Sequence, residues 1–170
     1  MALNAYLTLK GQKLGDIHGS VTQKGREGSI MVIAMDHQVM SPRDPASGQP
    51  TGKRQHKQLV IVKELDKSTP LLYNVLCNNE NIPTWQLNFW TPKMMGGTGT
   101  GTEVQNFTIK LTNASIASFN LYHPDTYDSG AGGSAPDSLE ELSFTYQKIE
   151  WTWLAGGISA EDDWESPIGG

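Results

Sequence analysis

The sequence holds one cysteine, Cys77, among 170 residues. No intrachain disulfide can form, no cysteine-based metal cage is possible, and the fold has to hold in a reducing compartment. Long apolar runs are missing too. No stretch of about 18 apolar residues occurs, and Met1 to Lys10 has no basic region followed by a continuous apolar run. The expectation is a chain that neither inserts into a membrane nor uses the usual signal-peptide route. Positive charge is also short: 13 Lys and Arg stand against 18 Asp and Glu, for a net charge of −5 and a pI near 5.3. That balance argues against nucleic acid as a partner, since nothing draws the chain to phosphate backbones. There is no solenoid-type repeat and no low-complexity tract long enough to suggest disorder.

What is present favours strands. Eighteen Gly and nine Pro, with many Thr, Asn and Ser, shift the composition toward sheets and turns. With 37% apolar residues the chain can bury one core but hardly two, so a single domain over 1–170 is expected. Leu3, Ala5, Leu7 and Leu9 alternate with polar residues, the period of a strand with one buried face. A second long strand is expected over Ser29 to Met40, where Met31, Ile33, Met35 and Val39 share one parity. Leu59 to Leu65 reads as a strand buried on both faces. Trp85, Leu87 and Phe89 alternate in a further strand, answered by Phe107, Ile109 and Leu111 across MMGGTGTGTE, which reads as a hairpin loop. The phase then slips at Asn113 and Ala114, as an extra residue or sharp bend would make it do. A Gly/Ser/Asp-rich loop, Asp125 to Asp137, precedes the long strand Leu139 to Leu154, whose parity flips between Tyr146 and Ile149. Such slips let a strand change sheets or curve a barrel wall. The tail, 155–170, is acidic and turn-like.

One helix is expected. Ser68 or Thr69 suits the N-cap, Pro70 the first turn, and Leu71, Leu72, Val75 and Leu76 make an apolar stripe before Asn78 and Asn79 stop it. Two turns are marginal alone, so the helix must pack on a sheet. The segment 41–58, SPRDPASGQPTGKRQHKQ, excludes a regular helix by its three prolines and reads as a long extended excursion. Loops of this length are uncommon in compact domains and usually have a task. Its basic cluster, Lys53, Arg54, His56 and Lys57, is otherwise the ordinary charge of a solvated loop.

No catalytic, cofactor-binding or metal-binding set emerges. GQPTGKR is one residue short of a phosphate-binding loop, Arg54 stands where a Ser or Thr is needed, and Pro50 lacks an N–H. The run GGTGTGT lacks that loop's lysine and joins two strands. His18, His37, His56 and His123 have no metal-ligand spacing. Asp36 and His37 are adjacent, which points them to opposite faces of a strand and not into a relay. Cys77 has no identifiable base and reads as a packing residue. Asp162 and Asp163 read as solvated charges, caps or interface charges rather than an acid pair. The Asn113-Ala114-Ser115 sequon falls within an expected strand.

Read in series, HQVMSPRDPASGQPTGKRQHKQ, LDKSTPLLYNVL, KLTNASI, LSFTYQKIEWTW and GISAEDDWES run in one order from about residue 4 to residue 167. Together they resemble the haemolysin-coregulated protein (Hcp) family of type VI secretion in its longer-loop branch. The resemblance implies a mainly β fold: one two-sheet β-barrel flanked by one short α-helix, with the extended loop at 41–58. It implies a structural role and no enzyme activity. Copies are expected to form a homo-hexamer with a wide hole, and the rings to stack into the inner tube that a contractile sheath drives out of the bacterial cytoplasm. Further partners implied are the trimeric VgrG spike and effector proteins carried in the lumen. A closed ring needs a heterologous interface, expected on the Leu3 to Lys10 and Leu139 to Trp153 strands through Tyr6, Tyr146, Trp151 and Trp153. The 41–58 loop, with Arg43, Lys53, Arg54, His56 and Lys57, is expected to meet acidic groups on the adjoining ring. Two competing readings remain. One is a β-barrel binding module, for carbohydrate for example, stacking its ligand on Trp85, Trp90, Trp151 and Trp153; the other is a small hydrolase, which needs convergent titratable groups in one pocket.

Overall fold

A computed structural model describes residues 3–93, 102–126 and 137–165. The expected MMGGTGTGTE loop, most of the Asp125 to Asp137 loop and the last five residues of the tail lie outside them. The strands are β1 (Ala5–Gly11), β2 (Gly15–Ile17), β3 (Ile30–Asp36), β4 (Val39–Met40), β5 (Gln55–His56) and β6 (Leu59–Glu64). After the helix α1 (Thr69–Cys77) come β7 (Ile82–Pro92), β8 (Glu103–Tyr122), β9 (Leu139–Thr145), β10 (Lys148–Trp153) and β11 (Ile158–Asp163). The main sheet runs β11-β10-β8-β7-β1-β3-β6-β9. Because β9 also pairs with β8, six of these strands close into a barrel, while β10 and β11 extend outward from β8. The mainly β class with one short helix is therefore observed.

The closure depends on β8, a 20-residue strand that serves two neighbours. Its first half pairs with β7 and β10, its second with β9. Between them Asn113 takes φ 51°, and the register shifts again between Ile116 and Ser118. The phase slip in the sequence is thus the bend that turns one sheet into a barrel. The parity flip after Tyr146 has the same cause: the expected long strand divides into β9, on the barrel, and β10, which leaves it.

Alternation put the core where expected on β1, β7 and the first half of β8: Leu7, Leu9, Trp85, Leu87, Ile109 and Leu111 are buried. Elsewhere the reading needs correction. On β3 the inward residues are Ile30 and Val32, so alternation puts Ile33 on the opposite face, where it is exposed; a register shift between Val32 and Ala34 then resets the strand. That strand also stops at Asp36. On β6 only alternate residues are buried, and the inward set includes a charged one, Lys63. Its ammonium lies 2.5 Å from Glu140 Oε2 and 3.0 Å from Asp66 Oδ1, and it donates to the Glu64 carbonyl at 2.8 Å. Burial is tolerated because the charge is paired and hydrogen-bonded.

Helix α1 buries Leu72 and Val75 against the barrel and stacks Tyr73 on Phe119. Its start differs from the expectation. Ser68 makes no side-chain cap; its hydroxyl and N–H donate instead to Asp66 Oδ1, and Thr69 Oγ1 accepts from the Asp66 N–H at 3.2 Å. Cys77 is exposed, not packed. It lies about 200° around the helix from Val75, the residue that marks the buried side.

Candidate functional site

Residues 38–57 form a ribbon built from two ordered roots and a turned tip. At its roots, β4 pairs with β5, and the Lys57 N–H donates to the Gln38 carbonyl at 2.9 Å. Farther out, Thr51 N–H donates to the Pro42 carbonyl at 3.0 Å, and Arg43 bridges to Pro50. Asp44 closes the tip: its carboxylate accepts from the Ala46 N–H at 3.1 Å and the Ser47 hydroxyl at 2.6 Å, while Gly48 takes the positive φ of 72°. The Ser47 hydroxyl, followed by the Ala46 N–H, holds that carboxyl below its ordinary value. Arg43, Lys53 and Lys57 are exposed along this ribbon.

Arg54 and His56 are not. The His56 side chain is fully buried and Arg54 is mostly covered. Both turn back onto β11, where Arg54 Nε and His56 Nε2 converge on Asp162 Oδ2, the histidine at 2.6 Å. Arg54 also donates to the Asp163 carbonyl at 2.5 Å. Within the tail expected to be turn-like, Ile158–Asp163 is therefore a strand, paired along its length with β10. Asp162, expected as a solvated or interface charge, is the acceptor that docks the ribbon. Desolvation pushes its carboxyl up, but hydrogen bonds from Arg54 and His56, with their charges, outweigh that and hold it below the ordinary range.

The second anchor is Tyr146, at the break between β9 and β10. Its hydroxyl lies 2.8 Å from His56 Nδ1 and 2.6 Å from His37 Nε2. One phenol thus clasps both roots of the ribbon, because His37 follows β3 and His56 ends β5. Trp164 stacks on His56 with centroids 5.5 Å apart, and Trp151 stands 6.4 Å from His37. Burial first, then the charge of Asp162, raises the Tyr146 phenol. Burial, then His56, lowers His37 against the opposing pull of Asp36. No spacing in the sequence signals this cluster: His37 and Asp162 lie 125 positions apart, and the fold alone brings them together. Two of the four histidines do converge, yet among the described residues no group of three or more His, Cys, Asp or Glu is placed to hold a metal ion.

Tyr6 lies elsewhere. It is 8% exposed, with its hydroxyl donating to Gln23 at 3.0 Å and Arg26 over its ring at 4.6 Å. The same guanidinium covers Trp90 at 4.0 Å and pairs with Glu103. Trp85 is fully buried and Trp151 is partly so, which leaves Trp153 as the exposed member of the four tryptophans, at 45%. No aromatic groove of the kind a carbohydrate-binding module needs is formed by them. Beside Trp153, Leu154 and Ile158 are 42% and 68% exposed, so the tip of the β10–β11 hairpin is apolar.

Residues 6–153 match the family model described as type VI secretion system effector, Hcp. Over 179 aligned residues the chain is 36% identical to the "Major exported protein" of Pseudomonas aeruginosa strain PAO1, covering all of both chains. A mutant Hcp1 from E. coli EAEC 042 superposes with a TM-score of 0.81 at 32% identity, covering 96% of this chain and 99% of the other. A crystal structure of an Hcp protein gives 0.84 at 32% identity, covering 96% and 100%.

Proposed function

From its membership of the Hcp family of type VI secretion proteins, to which the chain belongs, we propose that this structural, non-enzymatic protein works as a ring. Six copies close into a hexamer around a central hole. Rings stack into the inner tube, which waits in the bacterial cytoplasm until a contractile sheath drives it out with the trimeric VgrG spike at its tip. Effector proteins travel in the lumen.

The observation that carries ring closure is the apolar hairpin tip, Trp153, Leu154 and Ile158, exposed on a chain of net charge −5. Exposed apolar surface grouped on one projecting element is what a neighbour would cover. Closure needs that patch to meet a different surface on the next copy. Tyr6 and Tyr146, already buried within the subunit, and the partly buried Trp151 support the wall from within, and Trp153 is the member that reaches the neighbour. Stacking falls to the ribbon, whose exposed Arg43, Lys53 and Lys57 meet acidic groups of the adjoining ring; Arg54 and His56 serve by holding the ribbon in place.

Native mass measurement tests this. Six times 18.6 kDa is expected, and Trp153→Glu is expected to give monomers with an unchanged far-ultraviolet spectrum. A compact wild-type monomer at high concentration overturns the ring, and intact rings in Trp153→Glu remove the hairpin tip from the interface.

A further inference from the structure

We propose that Asp162, His56, Tyr146 and His37 form a proton-sensitive latch, which holds both roots of the 38–57 ribbon on the barrel while His37 is neutral and loosens its hold when His37 takes a proton. The reasoning starts from the hydrogens available. A phenol has one hydrogen to give and lone pairs to receive; a neutral imidazole has one N–H and one bare nitrogen. His56 Nε2 faces the ionised Asp162 at 2.6 Å and so carries a hydrogen. In the uncharged cluster His56 Nδ1 is then bare and accepts from the Tyr146 hydroxyl at 2.8 Å. The phenol oxygen in turn accepts from His37 Nε2–H at 2.6 Å. Each contact of the relay then has one donor and one acceptor, all in one direction.

A proton added to His37 brings a charge that this arrangement does not offset. The His37 Nε2–H already donates to the phenol, a neutral acceptor, and Asp162, the carboxylate of the cluster, is already held by Arg54 and His56. The His56 ring stands with its centroid 6.5 Å from that of His37. Losing the phenol proton is no escape, because burial and Asp162 both oppose phenolate.

The charged groups acting on the relay are Arg54 from the ribbon, Asp162 from β11 and Asp36 from the end of β3. Only Asp36 favours a charged His37, and burial together with His56 overrides it. His37 is thus harder to protonate latched than released. The sign follows: latching is fully favoured above the ordinary histidine value of about 6.5 and is lost as pH falls toward the lowered latched value. Over that window the ratio of latched to open ribbon drops by up to about tenfold per pH unit.

Hydrogen exchange on the full chain at pH values between about 8 and 5, read as protection factors at the Thr51 and Lys57 amides, tests the latch independently of ring assembly. Protection there is expected to fall up to about tenfold per unit below about pH 6.5, while β1 and β7 stay protected. His37→Gln keeps a donor toward Tyr146 without a titrating group, and is expected to abolish the acid response while leaving ribbon protection at neutral pH within a few-fold. Tyr146→Phe is expected to open the ribbon at neutral pH. An unchanged acid response in His37→Gln would assign it to Asp162 and overturn the latch, as would wild-type protection that is flat to pH 5.

Discussion

Replacing Lys63 with Met tests how the barrel tolerates a charge in its core. The Lys63 and Glu140 side chains are both fully buried, and they face each other in the β6–β9 register with Nζ to Oε2 at 2.5 Å. Methionine keeps the aliphatic stem and removes the ammonium, so the lost term is almost purely electrostatic. Glu140 is left without a counter-charge, and its other oxygen, Oε1, already has no partner. Leaving one buried charge unpaired costs about 3–5 kcal/mol. At about 2–4 °C per kcal/mol for a chain of this size, the melting temperature is expected to fall by about 6–20 °C. Removing both charges, Lys63→Met with Glu140→Met, is expected to recover most of that loss, since an apolar pair often replaces a buried ion pair at little net change. Thermal and urea unfolding at one fixed protein concentration measures it, because assembly moves the midpoint by mass action. A loss below about 1 kcal/mol in the single variant, or a double variant as unstable as the sum of the two singles, refutes the reasoning.

Reversing the exposed ribbon cations, Arg43, Lys53 and Lys57 to Glu, is expected to abolish tube formation seen by electron microscopy while native mass still reports single rings; unchanged tubes would take the ribbon out of stacking. Asp66 provides a pH signature at the helix entrance. Desolvation raises its carboxyl, but hydrogen bonds from Ser68 and Lys63 and the lysine charge lower it further, so the folded value lies below the unfolded one. Its contribution is therefore present above the ordinary carboxylate value and lost as pH falls through the depressed one, and Asp66→Asn should flatten the acid limb of the urea-unfolding free energy below about pH 4.

The parts of the fold legible in the sequence were those fixed by period. Alternation over Leu3 to Leu9 and Trp85 to Phe89, and the two phase slips, identify strands and bends, because a pleated strand with one wet face has to alternate. Where pairing overrides periodicity the sequence misled. Met31, Ile33 and Met35 share parity, yet pairing turns the other face, Ile30 and Val32, inward and leaves Ile33 exposed before the register shifts at Val32/Ala34. Lys63 lies within an apolar run and carries no local sign that Glu140, 77 positions on, will neutralise it. The tail was unreadable for a related reason. ISAEDD has little strand character of its own, and forms β11 only because β10 offers an edge and Arg54 and His56 offer hydrogen-bond donors.

That dependence runs in both directions, and it bears on how a ribbon of 20 residues could act on another ring. A loop that must order itself on contact loses affinity by the entropy of ordering. Here most of that cost falls at folding instead. Prolines restrict the chain at 42, 45 and 50, the Asp44 turn closes the tip, and Tyr146 with Asp162 fixes the roots. In the proposed tube, Arg54 and His56 therefore act from within their own subunit, by docking the ribbon on β11. In the stacked-ring reading, the exposed cations decide which surface is recognised, and the buried histidine and its aspartate decide whether those cations are presented at all.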